Sequence, residues 1–291
     1  MTATYGNVTG EYQALHGAAA VVAGQHVLVR VSGADAATFL DSLLSQELAS
    51  LADGAVVRSL LLAPRGKLRA LLWVTRRGDE FWLVGDVESG AAAVEDLNRF
   101  RLRVDAEIGV PEPVFDLIGP AAPDRAPDGA IPAPLGRLPR FFVIGAAPAG
   151  VEPAGELAYR AVRVEMGEPV MGEDVDEATI PQEAGLVAET VSFTKGCYLG
   201  QELVARIDSR GHVNRHLRGL VMSENTLPPS GAVVVHEGAD VGTITSVAES
   251  LEVGAPIGLG LIRREVEPGT DVTIKWAGGT AAAEARALPL L

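Results

Sequence analysis

Apolar and polar positions alternate along HVLVRV (26–31), as in a strand with one buried face. From residue 36 the period lengthens. Ala36, Phe39, Leu40, Leu43, Leu44 and Leu48 recur at helical spacing, predicting an amphipathic helix over 34–49. Ser32, with Asp35 three residues on, fits a capping box at its start. Three strand-like runs follow at 56–62, 68–75 and 80–85, joined by Pro64-Arg65-Gly66 and by Arg76-Arg77-Gly78-Asp79, both short enough for hairpins. A second helix is predicted over 89–100, and 102–108 alternates as another strand. Helices mixed with hairpins indicate an α+β sheet, not a doubly wound parallel one.

Residues 119–136 are rich in Pro, Gly and Ala and read as an exposed connection. A strand is expected at 140–145, and 157–172 begins as a helix that Gly167 and Pro169 stop. Beyond residue 216 the runs LRGLVM, AVVVH, VGTITSV, IGLGLI and DVTIKW are separated by Gly, Pro and Asp at nearly regular intervals, the pattern of a small β-barrel or sandwich. The expected division is therefore an α+β region over 1–215 and a β-barrel domain over 216–291.

A net charge of −14 disfavours general nucleic-acid binding. No apolar run is long enough to span a membrane, and the N-terminus lacks the basic start and apolar core of a secretory signal. A single cysteine excludes an internal disulfide framework, fits a reducing, cytoplasmic compartment, and excludes a self-contained iron–sulfur site; any such cluster would be held by another protein. No metal site is expected. GLGLI lacks the third glycine and following helix of a dinucleotide loop. Basic residues gather in one place, Arg206, Arg210, Arg215 and Arg218 with His212 and His216, as either a solvated face or a funnel for an anion.

The single cysteine lies in Lys195-Gly196-Cys197-Tyr198-Leu199-Gly200-Gln201-Glu202, with one of the chain's three lysines two residues before it. On an extended backbone Lys195 and Cys197 would share one face, and the ammonium would favour the thiolate. The alternative is a buried thiol acting as a small hydrophobe. Gly196 and Gly200 suit sharp turns or close approach to a ligand. Tyr198 could stack or hydrogen-bond, and Gln201-Glu202 open a short helix reaching Arg206.

Together with Thr179-Ile180-Pro181-Gln182-Glu183, Val191-Ser192-Phe193 and Val204-Ala205-Arg206, this segment resembles the signature of the YgfZ family, folate-binding proteins related to the glycine-cleavage T-protein (aminomethyltransferase). Gly33-Ala34-Asp35, the Pro64-Arg65-Gly66 turn and Arg163-Val164-Glu165-Met166-Gly167 agree in order, so the likeness runs from about residue 24 to the end. Leu199 departs from the Thr found in many members. The resemblance implies a cloverleaf-like arrangement of α+β subdomains and barrel around a pocket for tetrahydrofolate, or a one-carbon-substituted or polyglutamylated form. It implies a role in assembly or repair of iron–sulfur client enzymes, some of them tRNA-modifying, with Cys197 and Lys195 as the reactive pair. Arg163 and Glu165, alternating on one face of a short run, would line the pocket with Gly196, Tyr198, Gly200 and Gln201. Glu165 would accept the pterin's N–H groups, and Arg206 would meet the glutamate tail. T-proteins carry a catalytic Asp a few residues beyond the turn glycine. Lined up on Gly66, this chain has Ala70 there, flanked by Arg69 and Leu71. That argues against a conventional aminomethyltransferase, the alternative function.

Overall fold

A computed structural model describes residues 2–291, without the Arg210 side chain, so that member of the basic run lies outside the described residues. The elements in chain order are α1 (Val8–Gly17), β1 (Ala20–Ser32), α2 (Ala36–Leu43), β2 (Val56–Leu62), β3 (Leu68–Arg77), β4 (Glu80–Asp86), α3 (Val87–Phe100), β5 (Glu107–Ile108), β6 (Glu112–Ile118), α4 (Ala122–Arg125), β7 (Ile131–Pro132), β8 (Arg140–Ile144), β9 (Glu152–Pro153), α5 (Glu156–Met166), α6 (Val187–Thr190) and α7 (Gln201–Arg210). The barrel strands follow as β10 (Arg215–Met222), β11 (Val233–His236), β12 (Ala239–Ser250), β13 (Ala255–Arg263), β14 (Thr270–Trp276) and β15 (Gly279–Arg286).

The first part is built on one sheet in the order β2-β3-β4-β1-β6-β8-β7. Its central strand, β1, is 13 residues long and pairs antiparallel with β4 on one side and β6 on the other. Its ends also receive β5 and, in parallel, β9. Phe39, Leu40 and Leu43 of α2 and Ala93 and Leu97 of α3 pack with Ala70, Leu72 and Val74 of β3 to form one core layer. On α5, Ala158, Ala161 and Val162 are buried with Leu15 of α1 and with Ile257 and Leu259 of the barrel, a core that joins the two parts of the chain. The barrel closes in the order β10-β13-β12-β11-β14-β15, with β15 returning to β10. The fold is thus α+β with a C-terminal β-barrel.

Four sequence expectations change in detail. Ser32 does not cap α2: it ends β1, Asp35 is the N-cap, and the Asp35 carboxylate accepts from the Asp105 N–H at 2.9 Å instead. The helix stops at Leu43, not residue 49, because Leu44 leaves it to bridge Leu61. Of the strand predicted over 102–108, only Glu107–Ile108 pairs, since β6 already occupies that side of β1 at Val27 and Leu28. The 119–136 connection is not simply exposed: Ala122, Ile131, Ala133 and Leu135 are buried in it. No helix among the described residues is long and apolar enough to cross a membrane.

Candidate functional site

Lys195 points inward. Its side chain is fully buried, and Nζ donates to the carbonyls of Asp41 (2.7 Å), Gln46 (2.8 Å) and Leu44 (2.9 Å) and to the Asp41 carboxylate (3.1 Å). It closes the C-terminal end of α2, where helical carbonyls are left without partners and the helix dipole favours a cation. Burial alone would raise the Asp41 carboxyl; the Leu48 N–H, Lys195 and the Ala49 N–H outweigh it and hold the group below its ordinary range. Cys197, by contrast, is exposed. The expectation that the two share a face therefore fails: the segment is a turn-rich loop, not a strand, and its lysine is consumed by α2.

The remaining signature residues are placed by packing. Tyr198 is buried with Leu60, Leu62 and Val204, its hydroxyl pushed upward in pKa by burial, and its N–H donates weakly to Gln201 Oε1 at 3.4 Å. Leu199 packs against the α2 core. Gly200 has φ +81°, and a Cβ there would lie 2.6 Å from the Ala63 carbonyl and 3.2 Å from Gly66 Cα. The signature and the Pro-Arg-Gly turn are thus interlocked backbone to backbone. Gly196 is exposed with open space around it, so no protein neighbour demands a glycine there.

Arg163 and Glu165 lie on α5, where positions two apart point to nearly opposite sides, so they do not line one face as the sequence suggested. Arg163 is buried against Asp174 (2.5 Å) and Ser246 of the barrel (2.6 Å). Glu165 is buried in another direction, accepting from the Tyr12 hydroxyl (2.5 Å) and bonded to His16 Nε2 (2.7 Å). Burial first, and the Glu165 contact second, raise the Tyr12 hydroxyl well above the ordinary phenol range. The basic run is dispersed: Arg206 is exposed on α7, Arg215 pairs with Glu183 at 3.0 Å, and Arg218 lies 3.9 Å from Glu267.

Two cavities compete as the ligand site. The larger, about 610 Å³, lies beside α3 and α5, and carboxylates outnumber cations on its walls, Glu88, Glu95, Glu156 and Glu177 among them. Its arginines, Arg69, Arg160 and Arg163, are already ion-paired to acids. That groove repels an anionic ligand. The second, about 520 Å³, lies where Arg58 and Trp73 of the sheet face His216 and Arg218 of β10 and the C-terminal tail at Leu288; Glu168, Glu183 and Glu189 also line it, each paired to an arginine. Its volume is within the range of small-molecule sites, roughly 300–1,000 Å³.

This chamber shares Arg58, Trp73 and Glu168 with a recess of about 30 Å³ that reaches the middle of the sheet. Arg140 grips Glu168 with two bonds, 2.6 and 3.0 Å. Burial would raise the Glu168 carboxyl, but Arg140 and Arg58 overcome it and pull it down to about 2. Arg58 lies 5.1 Å over the Trp73 ring. Leu71 and Trp73 line the recess, whereas Ala70 is fully buried on the other face of β3 beneath the helices. Neither 70 nor 71, then, brings a carboxylate to the cavity.

Of the residues that line it, sequence reasoning singled out His216 and Arg218 in the basic run and missed the others. Arg58 and Trp73 sat inside predicted strands, and Glu168 followed the α5 motif without distinction. Asp116 lines neither cavity but lies against His26, and it carried a signal, a lone carboxylate inside the apolar run VFDLI.

With this geometry the chain is comparable with known proteins. Residues 215–291 match the glycine cleavage T-protein C-terminal barrel domain. An aminomethyltransferase crystal structure, glycine cleavage system T from Bartonella henselae, superposes with a TM-score of 0.88 at 22% identity, covering 99% of this chain and 91% of that one. The fold is that of the glycine-cleavage T-protein. An aminomethyltransferase of Halothermothrix orenii is 33% identical over 126 residues, 43% of this chain and 35% of that protein. A putative chloroplastic transferase of Arabidopsis thaliana is 31% identical over 126 residues, 28% of its length. The match thus spans about a third of these relatives. An uncharacterized protein of Haemophilus influenzae is 26% identical over 192 residues, 64% of this chain and 68% of that one.

Proposed function

We propose that this protein binds tetrahydrofolate, or a one-carbon-substituted or polyglutamylated form, in the central chamber. We place its action in the cytoplasm, in maturation or repair of iron–sulfur enzymes, tRNA-modifying ones among them, not in glycine cleavage. One observation carries the reading: a T-protein fold retains a ligand-sized chamber lined by Trp73, Arg58 and Arg218, yet positions 70 and 71 offer no carboxylate beside it. Trp73, with Arg58 over its ring, forms the aromatic wall for a pterin, and Arg218 suits the glutamate carboxylates. Cys197 is exposed, as contact with a client enzyme or assembly protein requires.

Calorimetric titration with tetrahydrofolate tests the ligand. One-site binding is expected, weakened about tenfold or more in Trp73→Ala through lost stacking, on the order of 1–3 kcal/mol. No binding by the natural protein refutes the proposal. Substituting the chain for the T-protein in a reconstituted glycine-cleavage system tests the alternative, aminomethyl transfer; turnover at ordinary enzyme rates, ~1–1,000 per second, would establish it. Cys197→Ser should leave the denaturation midpoint unchanged, within about 0.5 kcal/mol for an exposed site, while abolishing complementation of an iron–sulfur enzyme defect. Full complementation by that variant excludes a role for the thiol.

A further inference from the structure

The recess is walled on one side by a histidine that its surroundings hold in one orientation. His26 of β1 has a side chain only 9% exposed, and its ring packs on Phe142 at 4.8 Å between centroids. Its Nδ1 bonds Oδ2 of Asp116 on β6 at 3.1 Å and lies 2.9 Å from Oδ1. Asp116 is fully buried, and Oδ1 has no hydrogen-bond partner of its own among the described residues. A carboxylate at Asp116 requires the proton on Nδ1 and leaves the lone pair on Nε2, the tautomer of a general base. The recess, about 30 Å³, exceeds the roughly 10–15 Å³ that one water needs, and Ser59, Asp86, Arg58 and Glu168 supply polar partners. It communicates with the chamber through Arg58, Trp73 and Glu168.

We propose that His26, oriented by Asp116, is a catalytic base that activates water in the recess against the N-formyl group of a reduced folate bound in the chamber. The proposal rests on the folate reading above. The recess has room and polar partners for water, and among nitrogen-linked one-carbon units the formyl group presents a carbonyl carbon for water to attack. His26 Nε2 takes a proton from water as the water oxygen bonds to the formyl carbon, and the carbonyl electrons move to oxygen beside the Arg58 guanidinium. The carbon–nitrogen bond then breaks, and the proton passes from His26 to the leaving folate nitrogen. The products are tetrahydrofolate and formic acid, which releases its proton to solvent as formate. No redox partner is needed.

The test supplies 10-formyltetrahydrofolate to the full chain and quantifies formate. The natural protein should release formate above a protein-free control. His26→Ala and His26→Gln should lose about 100-fold or more, the usual contribution of a general base, and the natural protein should show a solvent deuterium effect of about twofold. Both variants should keep tetrahydrofolate affinity within about threefold in calorimetry, which also reports that they fold. Asp116→Asn should lower the rate by at least about tenfold, because it disturbs the tautomer. No formate from the natural protein, a solvent deuterium effect near unity, or variants as active as the natural protein overturns the inference. Binding of tetrahydrofolate without hydrolysis sinks this step alone; failure to bind it sinks the folate reading as well.

Discussion

Four oxygens lie within 3.1 Å of Lys195 Nζ, and none of its side chain reaches solvent. Removing it strands three carbonyls at one helix end, while the Asp41 carboxylate keeps the Leu48 and Ala49 N–H groups. Lys195→Ala should therefore destabilise the fold by roughly 2–4 kcal/mol, the cost of leaving buried carbonyls unsatisfied, as read by urea denaturation. A loss below about 1 kcal/mol would mean the ammonium is free for other work. Glu168 makes the converse case in pH. Its carboxyl is held near 2, below its unfolded range, so the stability it contributes is present above about pH 4.5 and is lost as pH falls through the folded value. The contribution is on the order of 3 kcal/mol between those limits. Glu168→Gln should flatten acid unfolding between pH 4.5 and 2 relative to the natural protein; superimposable acid profiles would count against the Arg140 pair as the cause.

Single elements show why some features were legible and others not. The hairpins β2-β3-β4 and the barrel strands were readable because period-two alternation is punctuated by turn residues, a purely local signal. The end of α2 was not. Leu44 and Leu48 continue the apolar period, and what ends the helix is a bridge to Leu61 and a lysine more than 150 residues away. Arg163 and Glu165 were placed on one face by a strand's period, but a helix of 11 residues sends them apart. The interlock of Gly200 with the Gly66 turn is equally nonlocal. Gly200→Ala would combine a left-handed backbone with a contact at 2.6 Å from a carbonyl that cannot move aside. A loss of about 2–4 kcal/mol is expected in the denaturation midpoint, while Gly196→Ala, with open space around it, should cost under about 1 kcal/mol. Equal effects would show that the two glycines are not distinguished by packing.

For the whole molecule, the chamber exists because the barrel is clamped to the sheet region. Arg163 to Ser246 (2.6 Å), Thr245 to Asp174 (2.7 Å) and the Leu217 N–H to the Glu183 carbonyl (2.7 Å) cross that boundary. The barrel thereby brings His216 and Arg218 opposite Arg58 and Trp73, a juxtaposition no local stretch of sequence contains. The glutamates lining the chamber are each paired to an arginine, Glu189 to Arg58, Glu168 to Arg140 and Glu183 to Arg215, so Arg218, 3.9 Å from Glu267, is the cation of this wall least engaged and best able to meet an anion. Burial, and then the Arg218 cation, keep His216 below the ordinary imidazole range, so it is neutral at pH 7. A folate carboxylate at this wall would offset the Arg218 repulsion and raise His216. The complex would then hold more protons than the free protein between the free and bound values of His216, and affinity should rise as pH falls through that range. Calorimetry in buffers of different ionisation enthalpy should register a fractional proton taken up per ligand, and His216→Gln should abolish that uptake. Arg218→Ala should weaken polyglutamylated folate more than the monoglutamate and lessen the salt dependence, whereas Arg206→Ala separates the alternative tail site on α7. Proton uptake that persists unchanged in His216→Gln would place the anion elsewhere.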